Sequence, residues 1–93
     1  MINLIPECTV NHTITAPALN HQHIGEDIGF SFIDPISRIH TFVIGELRSI
    51  YHTADSVTLD LAPLEDHVYK LKEFEELPLD TAIYLITVNQ KGH

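Results

Sequence analysis

The chain has 93 residues, 44% hydrophobic and 19% charged, with 13 acids against five bases for a formal charge of −8. That length excludes two independent cores, and that composition excludes a disordered polymer, which would bury too little apolar surface to offset the entropy of ordering. Scarce Lys and Arg argue against a general phosphate-backbone binder, and four Phe, three Tyr and no Trp make a modest core to which an oligomer or partner would add stability.

The first 24 residues begin with Ile2, Leu4 and Ile5 before Pro6, and Thr9 to Thr15 then alternates in the threonine-rich manner of a short strand. Pro6 and Pro17 bracket this strand, and proline lacks a ladder N–H, so it is expected at a sheet edge, followed by a helical turn or two between Ala16 and Ile24. Residues 1–24 are read as an N-terminal extension, 28–88 as the core of a single domain and 89–93 as a polar tail. Residues 1–15 carry no basic stretch leading into a long apolar run, and Cys8 has no second cysteine to pair with. A cytoplasmic protein with no membrane association is expected. Asn11-His12-Thr13 matches a glycosylation sequon, read as chance in that compartment.

Gly25-Glu26-Asp27 reads as a turn into a strand whose Ile28, Phe30 and Phe32 face inward. Asp34-Pro35-Ile36-Ser37 supplies turn chemistry, and the returning strand is long, from about Ile39 to Tyr51. Its inward set changes phase, Phe42 and Ile44 before Gly45 and Leu47 and Tyr51 after it, which predicts a bend at Gly45. After a turn at His52 to Asp55, Ser56 to Leu61 is the clearest period-2 run, with Val57, Leu59 and Leu61 inward. His67 to Leu71 is predicted as the next strand. Phe74 and Leu77 lie three apart, the spacing of one helical or 3-10 turn over Lys72 to Leu77, closed by Pro78. Ala82 to Val88 is a last strand, apolar on both faces and therefore covered on both.

This order predicts a mainly β fold, a small bent antiparallel β-barrel of five or six strands with a short N-terminal helix or irregular segment and one 3-10 turn. It resembles the SH3-like barrels and, within them, the Sm-like proteins. Gly45 to Tyr51 is similar to the bent second strand of that family, Val57 to Leu61 to its third and His67 to Leu71 to its fourth. The resemblance implies edge-to-edge self-association into a homo-oligomer through Val68, Tyr69 and Leu71 on one strand and Ile83, Tyr84, Leu85 and Ile86 on the other. Thr53-Ala54-Asp55-Ser56 lacks the aromatic or amide residue beside an aspartate through which Sm-like loops hold RNA.

The main surface feature is acidic: Glu65, Asp66, Glu73, Glu75, Glu76 and Asp80, with Lys70 and Lys72 the bases among them. A solvated face is the bland reading of such a run, and a docking surface for a basic or nucleic-acid-binding protein is the functional one. The leading expectation is a non-enzymatic acidic interaction or regulatory module that binds another protein, with no catalytic residues and no cofactor. An Sm-like RNA binder is the alternative, and it requires Arg38, Arg48, Lys70 and Lys72 on one face. A metal-dependent activity at His21 and His23 is the weaker one, because two imidazoles point the same way only on an extended segment. No nucleophile elbow, phosphate-cradling glycine loop or zinc-binding helix motif is present, and Cys8 has no activating base beside it in sequence.

Overall fold

Period-2 alternation of apolar residues builds the centre of the sheet. The computed structural model describes residues 8–64 and 71–88. Six strands run β1 (Cys8–Thr15), β2 (Asp27–Ile33), β3 (His40–His52), β4 (Ser56–Ala62), β5 (Lys72–Pro78) and β6 (Ala82–Val88). All paired neighbours are antiparallel, in the order β1-β6-β2-β3-β4-β5, and the ladder between β5 and β1 is not closed among the described residues. The described residues contain no α-helix; two 3-10 turns, Ala16–Ala18 and His21–His23, take the place expected for a short helix. Pro17 occupies the start of the first turn, and the Asn20 side chain caps the second by accepting the Gln22 N–H at 2.9 Å.

Ile28 and Phe30 on β2 and Val57, Leu59 and Leu61 on β4 are buried, as their alternation predicts. Ala16, Leu19, Leu47, Phe74, Leu77 and Ile83 complete the core cluster. Each large aliphatic or aromatic side chain taken out of water here contributes roughly 1.5–3 kcal/mol before chain entropy is set against it. Phe74 stands edge-on to Phe30 and Phe32, with ring centroids 5.4 and 5.1 Å apart, so β2 and β5 meet across the interior although two strands intervene. The sheet is therefore strongly curled.

Lys72 to Leu77 is a strand, not a 3-10 turn. Val57 pairs with Leu77 and Leu59 with Phe74, so Thr58 alone opposes both Glu75 and Glu76. This β-bulge, with Glu76 at φ 57° and its N–H donating to Thr58 Oγ1 at 3.1 Å, stretches the inward repeat from two residues to three and so imitates helical spacing. The predicted strand at His67 to Leu71 falls largely outside the described residues, and Leu71 itself is a half-exposed residue preceding β5.

The phase change in β3 is real but sits at Arg48, not Gly45. Leu47 pairs with Leu61 and Ser49 with Asp60, leaving Arg48 as the inserted residue. Before it Val43, Gly45 and Leu47 turn toward the core; after it Ile50 does. Phe42 and Tyr51, expected inside, are exposed, and Phe42 lies against Tyr84 at 6.0 Å. Gly45 has a different role: a Cβ there would come 2.9 Å from the Ala62 carbonyl oxygen, so the glycine lets β3 pass close to the end of β4.

β1 is a full member of the sheet. It pairs with β6 from Cys8 opposite Val88 to Thr15 opposite Ala82, with Asn11 bulged out and its amide donating to Thr87 Oγ1 at 2.8 Å. No helix among the described residues is long and apolar enough to cross a membrane.

Candidate functional site

Three surfaces follow from this register. The first is acidic. On the outer face of β3, β4 and β5, Ser49 lies opposite Asp60 and Asp60 opposite Glu73, and Glu75 follows on the same face. Ser49 Oγ donates to Asp60 Oδ2 at 2.7 Å. Glu73 shares a side-chain hydrogen bond with Glu75, and together with partial desolvation and the negative charges of Glu75 and Asp60 this holds the Glu73 carboxyl above the usual range. Among the described residues, the charged groups that raise the Glu73 carboxyl are the carboxylates of Glu75 and Asp60, a cluster of like charge on the outer face.

The remaining acids do not join that row. Glu76 sits in the bulge and borders a groove on the other side of β5, and Asp80 lies in the β5–β6 turn, closed by the Thr81 N–H on the Pro78 carbonyl at 3.0 Å. Glu65 and Asp66 lie outside the described residues. Asp60, which does join the row, was not among the expected site residues. Its outward position in the β4 alternation was legible, but its place beside Glu73 required the strand pairing.

The second surface is a groove of about 450 Å³ between the β2–β3 hairpin and β5. Phe32, Ile33, Pro35, Leu77 and Pro78 give it an apolar lining, Arg38 and His40 stand on the hairpin side, and Glu75 and Glu76 stand on the β5 side. The hairpin tip is held rigid by Asp34, whose Oδ1 accepts the N–H groups of Ile36 and Ser37 at 2.8 and 2.9 Å. Those bonds hold the Asp34 carboxyl below its ordinary range. Ile36 is 91% exposed at that tip, so its side chain contributes nothing to the core.

The third surface is the pair of outer sheet edges, β1 and β5, each with one strand partner among the described residues. The edge expected for self-association at Ile83, Tyr84, Leu85 and Ile86 is used within the chain: β6 pairs with β1 along its length and with β2 at Leu85 and Tyr84. Val68 and Tyr69 lie outside the described residues.

His21 and His23 occupy a 3-10 turn, where residues two apart point in different directions, rather than the extended segment that would align them. His23 Nδ1 already accepts the Asn20 N–H at 3.0 Å. Among the described residues no group of three or more His, Cys, Asp or Glu side chains converges on a metal-sized space. The bases required for RNA sit on separate elements: Arg38 at the hairpin tip, Arg48 in the β3 bulge and Lys72 at the start of β5 with its Nζ 5.8 Å from the Phe74 ring centre. Lys70 lies outside the described residues. No protein-family model, no curated protein and no solved structure matches the chain.

Proposed function

We propose that this protein is a non-enzymatic interaction module whose acidic outer face, Asp60, Glu73 and Glu75, binds a basic segment of a partner protein and regulates it. The strand pairing that sets Asp60 opposite Glu73, with Glu75 next on the same face of β5, supports the reading: like charges brought together repel one another, in keeping with the raised Glu73 carboxyl, and an incoming cation relieves that repulsion. The formal charge of −8 adds a long-range attraction to the same partner. The fold reading belongs with it. A small barrel of the SH3-like or Sm-like kind is supported by the strand order β6-β2-β3-β4-β5 and by the meeting of Phe30 and Phe32 with Phe74. A cytoplasmic location is supported by the single cysteine.

Titration with a capped arginine-rich peptide tests the proposal. The double substitution Asp60→Asn with Glu73→Gln is expected to weaken binding by about tenfold, with affinity falling steeply as salt is added. The double substitution Glu26→Gln with Asp55→Asn removes the same charge elsewhere and is expected to change affinity by no more than about twofold. Equal losses in the two variants would mean that only net charge is read, and the acidic row would have no specific role.

A further inference from the structure

The connection from β1 to β2 is fastened at both ends and capped in the middle. At its start Ala16 and Leu19 are buried, and the Ala16 N–H donates to the Thr81 carbonyl at 3.0 Å. The Leu19 carbonyl lies 3.0 Å from His52 Nε2, and because a carbonyl can only accept, that nitrogen carries a proton. At the other end the Gly25 N–H donates to the Leu47 carbonyl at 2.7 Å. None of residues 20–24, which lie between these anchors, is buried. They are held by a reciprocal cap, in which Asn20 Oδ1 accepts the Gln22 N–H at 2.9 Å and His23 Nδ1 accepts the Asn20 N–H at 3.0 Å.

The second of these bonds depends on a titrating ring. In such a box the residue that reaches back is ordinarily Glu or Gln, whose oxygen still accepts near neutral pH. Here it is histidine. A backbone N–H can only donate, so His23 accepts through an Nδ1 that carries no proton, and the proton of the neutral ring sits on Nε2. A second proton on the ring goes to Nδ1 and faces the Asn20 N–H, donor against donor, and the bond is lost. His52 responds differently, because its Nε2 donates to Leu19 from the neutral and the charged ring alike.

We propose that His23 is a pH switch in the β1–β2 connection: protonation of its Nδ1 releases the Asn20 cap and loosens residues 20–24 between fixed points at Leu19 and Gly25. The sheet itself stays paired. The turn carries His21 and is followed by Glu26, whose N–H donates to the His23 carbonyl at 3.0 Å, and by Asp27. β3, the strand packed against the turn, brings Glu46 and Arg48 on either side of Leu47, with His52 at its end. Among these groups only His23 joins a proton on its own ring to the loss of a bond within the cap. The switch goes beyond the acidic-face proposal and does not rest on it, because Asp60, Glu73 and Glu75 lie on β4 and β5.

Solvent exchange of the Asn20 amide, measured by NMR on the full chain and corrected for the intrinsic pH dependence of amide exchange, tests this. From about pH 8 to about pH 5 its protection is expected to fall about fivefold, the loss of one hydrogen bond. The Gly25 amide, whose carbonyl acceptor does not titrate, is expected to keep its protection over the same range. His23→Gln supplies the acceptor of the ordinary box and is expected to remove the pH dependence, whereas His21→Gln and the Asp60→Asn, Glu73→Gln variant are expected to retain it. Long-range proton–nitrogen correlation spectra at the upper pH should place the His23 proton on Nε2. Unchanged Asn20 protection in the wild type, a fall that persists in His23→Gln or vanishes in either control variant, a parallel fall at Gly25, or a His23 proton on Nδ1 at the upper pH would each overturn the proposal.

Discussion

At φ 57°, Glu76 holds a left-handed backbone in which an L-residue's Cβ crowds the following carbonyl, a cost of roughly 1–2 kcal/mol. Asparagine tolerates that region and valine does not. Glu76→Asn is therefore expected to raise stability by about 0.5 kcal/mol and Glu76→Val to lower it by about 1–2 kcal/mol, although the site is exposed. Urea midpoints at constant slope would show this, and equal midpoints for the two variants would contradict the bulge geometry. Two carboxyls act in opposite senses with pH. Asp34, lowered from 3.8, contributes stability that is present above its unfolded value and is lost as pH falls through its folded one. Glu73, raised from 4.5, contributes stability below its unfolded value that is lost as pH rises through its folded one, leaving a cost at neutral pH. Thermal unfolding followed against pH should accordingly lose part of its decline below pH 3.8 in Asp34→Ala and part of its decline above pH 4.5 in Glu73→Gln.

Among the elements, irregular pairing decides what this fold presents. Bulges at Asn11, at Arg48 and at Glu75 and Glu76 each shift the register of a ladder. β2, β4 and β6 were legible because Ile28, Phe30 and Phe32, then Val57, Leu59 and Leu61, keep an unbroken period of two, and Ala82 to Val88 is apolar throughout. β3 and β5 were not, because a bulge changes which residues face inward without changing composition. Phe74 and Leu77 cannot be told from a helical turn until Thr58 is seen opposite two glutamates. The acidic row was half legible: Glu73 and Glu75 stand out in the sequence, while Asp60 joins them only through pairing 13 residues away. The groove was not legible at all, since it arises where Ser31 to Ile33 meets Glu75 to Pro78 across the curl of the sheet. Gly45 tests that curl. In Gly45→Ala the new methyl group would meet backbone at Ala62, which cannot swing aside, so a loss of about 1–3 kcal/mol is expected. Gly29→Ala meets the ring of half-exposed Phe42 at 3.1 Å, with the Val43 carbonyl next at 3.3 Å. That ring can move, and the denaturation midpoint should fall less than in Gly45→Ala.

For the molecule as a whole, β1 determines which edges remain open. β6 is apolar on both faces and lies between β1 and β2, so the strand richest in association potential has its backbone bonds made inside the chain. β1 contributes little to the core: of its residues only Cys8 and Ile14 are even partly buried, and Val10 is exposed. Its physical effect is to replace an apolar edge with one bearing Thr9, Asn11, His12, Thr13 and Thr15, whose polar side chains and bulged register make a poor template for another sheet. Deletion of residues 1–15 is therefore expected to leave most of the core strands in place while exposing the backbone of Ala82 to Val88, and the shortened chain should self-associate. Size-exclusion chromatography across a tenfold concentration range, with far-UV circular dichroism to establish that the sheet persists, measures this. A shortened chain that keeps its β signal and elutes as the same species as the full chain would show that β6 needs no cover.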